Sequence, residues 1–294
     1  MGADASSRAE GDGWPQGVPD RDAFIRLVEE EGARRWRDLP WRNLDDPYAV
    51  LVSEVMLQQT QVARVAGRWE RFMALFPTVD ALAAASVSDV LEQWQGLGYN
   101  RRALALKRAA DECSAHRAGT LPRTAEELQR LPGVGPATAA GVVAFAYDEP
   151  AVYLETNVRS VFLQVLFPGR DGVPDRELRP LVAATCPAFG VRAWYYALLD
   201  YGAHLKTVVA NPSRRSAHYA RQSAFEGSRR QKRAELLRIV LADPGIPLQV
   251  AAASLDVEER AAGRGPVDPD LFADIVADLA REGFFREEEG RLTS

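Results

Sequence analysis

The sequence predicts an all-α main domain followed by a small winged-helix-like domain. Three observations carry that expectation. Apolar residues recur three and four positions apart through short segments from about residue 21 onward. Glycine and proline interrupt those segments at Pro77, Gly96, Gly98, Pro122, Gly133 and Gly135. Strand-like alternation is not evident in the main stretch. With 294 residues and 47% hydrophobic content, the chain can bury one large core or two moderate ones.

Residues 1–20 read as a disordered acidic tail with almost nothing to bury. Residues 21–205 read as one helical domain. AFIRLVEEEGARRW, PYAVLVSEVMLQQTQVARVAGRWERFMALF, VSDVLEQW, RRALALKRAADECSAH, AEELQRL and PATAAGVVAFAY each show helical apolar spacing. Residues 206–233 read as a basic loop or linker: eight bases fall within 202–233 against one acid, Glu226. Such a segment suits either a solvated linker or a phosphate-contacting one. Residues 234–294 hold AELLRIVLADP, LQVAAASLDVEE and PDLFADIVADLAREGFF, then FFREEEGRLTS. Helices followed by a short hairpin suggest the winged-helix-like arrangement.

A net charge of −5 counts at first against a nucleic-acid partner. The charge is unevenly spread, however. Residues 1–20 carry −3 and residues 234–294 carry −7, which leaves +5 on 21–233. That distribution is compatible with DNA binding by the middle, and the acidity of the last domain argues against its reading DNA. Only Cys113 and Cys186 occur, so neither a disulfide framework nor a four-cysteine metal site can be built. With no long apolar run and no signal-like start, the expectation is a cytoplasmic, nucleoid-associated monomer that does not engage membranes.

The most specific local pattern is TAEELQRLPGVGPATAAGVVAFAY. Thr124 and Glu127 have the spacing of a capping box, starting a helix expected to end at Leu131. Gly133 and Gly135 permit positive φ and close backbone approach, and Pro136 suits the first position of the next helix. Free amides at that helix start make a ready anion site, although a lone glycine turn between two core helices would look similar.

Six segments together carry a family resemblance: DLPWR (38–42), SEVMLQQTQV (53–62), FPTVDAL (76–82), GLGY (96–99), LPGVG (131–135) and LLDYGA (198–203). In this order and spacing the chain resembles the MutY-type adenine DNA glycosylases of the helix–hairpin–helix (HhH-GPD) superfamily. The resemblance implies a helix–hairpin–helix DNA glycosylase fold and excision of a base, adenine first, from mismatched or damaged duplex DNA. Another modified base, such as an oxidised pyrimidine, is the alternative substrate. A non-catalytic binder of distorted DNA is the rival of another class. The backbone at Gly133, Val134 and Gly135 would then grip a DNA phosphate without reading sequence.

Cleaving an N-glycosidic bond needs a proton for the departing base and an anion for the cationic sugar. Glu54 lies in an otherwise apolar helix, and on periodicity alone could be a surface glutamate. The resemblance makes it the general acid. By the same resemblance, Gln58, Gln59 and Tyr99 enter the base stack, and Arg42 and Asp200 line the base pocket.

The chain departs from the family's pattern in three places. Glu155, in YLETNV, stands where the family has its catalytic aspartate, with Asn157 retained as a supporting residue. Ala137, at the pocket, stands where bifunctional relatives carry a Schiff-base lysine, so no lyase step is expected. The four thiolates of the family's iron–sulfur cluster fall near Lys206, Ser213, Ser216 and Gln222, so no cluster is expected. A structural monovalent cation or magnesium ion at the hairpin is the only inorganic component this leaves. Nothing in residues 234–294 resembles the sheet domain with which the family reads 8-oxoguanine.

Overall fold

The computed structural model describes residues 13–221 and 224–293. The helical periodicity is realised throughout, and the described chain divides into two units. One unit takes the chain to Val50, then Arg123–Glu126 and Gly135–Ala220; the other takes Leu51–Pro122, Glu127–Val134 and Arg221 onward.

The first unit holds α1 (Arg21–Arg34), α8 (Pro136–Ala146), α9 (Thr156–Leu166), α10 (Asp175–Thr185) and α11 (Val191–Val208). Aromatic rings fill its core: Phe24 meets Phe162 at 4.9 Å between centroids, and Phe145 stacks on Tyr196 at 4.9 Å. Two glycines let helices touch backbone to backbone. A Cβ on Gly32 would lie 2.5 Å from Ala197 Cα, and one on Gly202 would lie 2.7 Å from the carbonyl carbon of Asn157. The tail expected at 1–20 is shorter in effect. Residues 1–12 lie outside the described residues, but the Trp14 ring sits edge-on to Phe24 at 5.9 Å and its Nε1 donates to Pro19 O. One indole supplies the apolar area that the rest of this segment lacks.

Helix α2 (Pro47–Leu57) crosses from the first unit into the second. The second unit continues with α3 (Val62–Leu75), α4 (Val79–Ala84), α5 (Val87–Trp94) and α6 (Arg101–Arg117). Thr78 caps α4, and a Ser86–Asp89 capping box starts α5. The run read as continuous from 47 to 76 breaks between α2 and α3, where Gln59 adopts a left-handed φ of 53°. Helix α7 spans only Ala125–Leu128, because i→i+3 bonds from Arg130 to Glu127 and from Leu131 to Leu128 tighten the chain before Pro132.

The C-terminal part of the second unit runs α12 (Arg229–Ala242), β1 (Ile246–Pro247), α13 (Leu248–Ala261), α14 (Pro269–Glu282), β2 (Arg286–Glu288) and β3 (Arg291–Thr293). The strands form an antiparallel sheet in the order β1-β3-β2, with Leu292 opposite both Ile246 and Glu287. This is the winged-helix-like arrangement. Its first helix starts at Arg229, inside the stretch read as linker, and its bases meet acids: Arg229 pairs with Asp278, Lys232 with Glu259 and Arg233 with Glu282. Glu282 also takes a bidentate contact from Arg101 at 2.6 and 2.7 Å. Among the described residues no helix is long and apolar enough to cross a membrane.

Candidate functional site

Glu155 is the N-cap of α9. Its Oε1 accepts the backbone amides of Asn157 and Val158, the latter at 2.9 Å, and the Asn157 side-chain amide lies 3.4 Å from Oε2. The extra methylene that distinguishes it from aspartate is thus absorbed in a cap that still reaches two amides of the first turn. Burial pushes this carboxyl up, while the Val158 amide, Lys206, the Asn157 amide and Arg159 pull it back. Lys206 donates to Asn157 Oδ1 at 2.7 Å. Gly202 makes this geometry possible, since any side chain there would strike the Asn157 backbone.

Arg42 and Asp200 are brought together and buried. Arg42 forks onto the carboxylate at 2.7 and 2.8 Å, and Arg37 adds its Nε at 2.5 Å and its backbone amide at 3.1 Å. The Arg42 guanidinium also lies over the Trp36 and Tyr196 rings, 4.7 and 4.4 Å from their centroids. Its donors directed at Asp200 and Arg37 O, Arg42 fixes its neighbours in place.

In the second unit Glu54 lies half-buried on α2, flanked in sequence by the buried Ser53 and Val55. Helix α2 ends in a turn through Gln58 and Gln59, and the turn before α6 carries Tyr99; Gln59 and Tyr99 both hold positive φ, 53° and 49°. A non-glycine residue in this region is a strained choice that recurs at functional sites. A single side chain ties the two turns together. Arg102 donates to the carbonyls of Val55, Met56, Gln58, Leu97 and Gly98 at 2.5–3.3 Å and to Thr60 Oγ1 at 3.1 Å. Burial lowers its pKa to about 10, which leaves it charged at neutral pH. The Tyr99 hydroxyl accepts from Arg230 of α12 at 3.1 Å. Beside these turns a cavity of about 260 Å³ is lined by Val55, Gln58, Arg101, Leu106, Pro132 and Gly133 among others.

At the hairpin, the two glycines have different causes. Gly133 needs its φ of 75° and its lack of a Cβ, which would come 2.5 Å from Ala105 Cβ. Gly135 has an ordinary φ of −84° and open space where a Cβ would sit, so the fold itself does not demand glycine there. It caps α8, with Pro136 at the first position and Ala137, half-buried, at the second.

The segment read as replacing the cluster loop is held by hydrogen bonds. After α11 a 3₁₀ turn, Pro212–Arg215, is capped by Asn211; Val173 bridges to it through Arg215 O and Ala217 N, both at 3.0 Å. Arg215 donates to Phe167 O and to Gln164 at 2.8 and 2.9 Å. The donor set does not fit an iron–sulfur cluster: Lys206 is engaged with Asn157, and Ser213 and Ser216 are buried hydroxyls. Gln222 lies outside the described residues. Among the described residues no group of three or more His, Cys, Asp or Glu could hold a metal ion.

Arg37 and Arg102 escaped the sequence reading, and Lys206 and Arg230 entered it only as members of the basic 202–233 stretch, because a basic residue looks like a solvated one in a chain with 36 of them. DLPWR follows directly on Arg37 and GLGY comes three positions before Arg102, which was the available hint for both.

Residues 52–179 match the family described as HhH-GPD superfamily base excision DNA repair protein. The solved structure of a thermostable thymine-DNA glycosylase has a like fold, with a TM-score of 0.56 at 24% identity over 62% of this chain and 86% of that one. Fold and hairpin thus define a helix–hairpin–helix protein of the base excision repair class. The adenine DNA glycosylase of Mycobacterium tuberculosis is 35% identical over 281 residues, 86% of this chain and 89% of the relative. That of Rattus norvegicus is 42% identical over 163 residues, 52% of this chain and 32% of the rat protein, so the match spans about a third of the rat protein's length. The chain belongs to the adenine DNA glycosylase family of the HhH-GPD superfamily.

Proposed function

We propose that the protein is a monofunctional DNA glycosylase that removes adenine from mismatched or damaged duplex DNA at the nucleoid. The observation that carries this reading is Glu155: it keeps a carboxylate at the family's aspartate position, capping α9 with Asn157 beside it. Glu54 acts as general acid to the departing base. Glu155 stabilises the cationic sugar and activates water. Gln58, Gln59 and Tyr99 fill the gap left by the extruded nucleotide. Arg42 and Asp200 hold the wall of the base pocket, and Ala137 supplies no amine for a lyase step. The amides of Gly133, Val134 and Gly135 hold a backbone phosphate, and the open space at Gly135 supports that role, since close approach of a ligand is then what its glycine serves. The match to a relative of similar extent that carries the adenine name favours adenine over an oxidised pyrimidine. The mechanism uses no iron–sulfur cluster, and a monovalent cation or magnesium ion at the hairpin is its one inorganic candidate. The protein acts as a monomer.

The test is single-turnover excision from duplexes holding single lesions and mismatches, with alkali to reveal abasic sites. Glu54→Gln should lower the rate by about 10²–10⁴ while DNA affinity holds. Glu155→Gln should nearly abolish cleavage, and Glu155→Asp should retain it. Equal inertness of wild type and both Glu155 variants on every duplex, with undiminished binding to distorted DNA, would favour the non-catalytic binder.

A further inference from the structure

The place that the resemblance gives to a cluster thiolate is taken by Lys206, and its ammonium turns inward. Nζ donates to Asn157 Oδ1 at 2.7 Å, so that amide presents its Nδ2 toward Glu155 Oε2, 3.4 Å away. The asparagine backbone amide is given to the same carboxylate. Lysine, asparagine and glutamate therefore form one chain of contacts reaching from α11 to the head of α9.

We propose that Lys206 is a positioning residue for Glu155, locking the Asn157 amide and supplying the positive charge that keeps the recessed carboxylate anionic. The inference rests on reading Glu155 as the group that stabilises the cationic sugar. Only the anion can do that work, and burial opposes the anion. The charged groups bearing on Glu155 are Lys206 of α11 and Arg159 of α9. Arg159 is already committed to Asp175, at 2.8 and 3.0 Å, whereas Lys206 has no carboxylate within bonding distance among the described contacts. Burial lowers the pKa of Lys206, Glu155 raises it, and Arg37 adds a smaller lowering. Arg37 is itself bound to Asp200.

Removing the Lys206 charge should raise the pH at which Glu155 ionises, so activity dependent on the anion should appear later as pH rises. The experiment compares wild type, Lys206→Met, Lys206→Arg and Glu155→Gln by single-turnover excision across the pH range, with melting curves for each. In parallel, difference infrared spectra against Glu155→Gln follow the carboxyl titration without turnover. Lys206→Met should move both the acid limb and the carboxyl titration upward by about one pH unit, a tenfold change in proton concentration. Lys206→Arg should restore both. A folded Lys206→Met whose limb and titration coincide with wild type overturns the proposal. If Met prevents folding, Lys206→Gln is judged by the same two readouts. An active Glu155→Gln would instead remove the underlying reading of Glu155, an outcome distinct from an inactive Glu155→Gln with an unmoved limb.

Discussion

Replacing Gly202 by alanine adds one methyl group between α9 and α11, and the structure says where it must go. The new Cβ would lie 2.7 Å from the Asn157 carbonyl carbon and 2.9 Å from its Cα. Carbon atoms rest at roughly 3.5–4.0 Å, so the two backbones must part by about 1 Å. No rotamer change relieves this, because the obstacle is main chain on both sides. The cost belongs at the upper end of the overpacking range, about 3 kcal/mol. For a chain of this size that is a fall of about 6–12 °C in Tm. Glu155 and Asn157 sit at the head of the displaced helix, so an ångström of movement there should also lower excision about 100-fold. Thermal melting and single-turnover cleavage of the same preparation measure both. Gly202→Ala melting within about 1 °C of wild type, with an unchanged rate, would refute the reasoning; the close approach would then not constrain the site.

Four further outcomes are expected. Arg42→Met leaves Asp200 buried with Arg37 alone and should destabilise by about 3–5 kcal/mol in chemical denaturation, with Arg42→Met/Asp200→Leu recovering much of it. Arg102→Lys keeps the charge but offers three donors to six acceptors, so it should cost on the order of 2 kcal/mol and slow excision; equality with wild type would show that the clamp is idle. Strand breaks should need alkali, and borohydride should trap no covalent DNA adduct, because Ala137 cannot form an imine; an efficient adduct would direct attention to Lys206. Protein purified from iron-supplemented cells should be colourless, and a stoichiometric brown chromophore would contradict the cysteine count.

The helical segments were legible because each buries a stripe wide enough to impose its period, as Val65, Trp69 and Phe72 do on α3. The break between α2 and α3 was not. Nothing in QQTQ states that one glutamine turns left-handed, since that conformation is held by Arg102, forty-odd positions along the chain. Motif spacing pointed to Glu155, Asp200 and Arg42, whereas it gave no sign of the contacts that Lys206 and Arg37 make beside them. Lys206 and Asn157 are far apart in sequence, and only the packing allowed by Gly202 joins them. The C-terminal hairpin was legible from FFREEEGRLTS, but the length of α12 was not, because its first turn reads as basic linker until Asp278, Glu259 and Glu282 face it.

The Arg102 clamp also bears on how such a protein can change over generations. Five of its six acceptors are backbone carbonyls, present whatever side chain the residue bears. Position 58 can therefore exchange its side chain without loosening the two turns, whereas Val55, Met56 and Leu97 are also held by burial and Gly98 by its φ of 74°; position 102 admits no other residue with a planar fork of donors. Variation at such a turn position is then decoupled from the scaffold that presents it. A lineage could vary the exposed part of the turns by single substitutions, with one arginine carrying the architecture through each step.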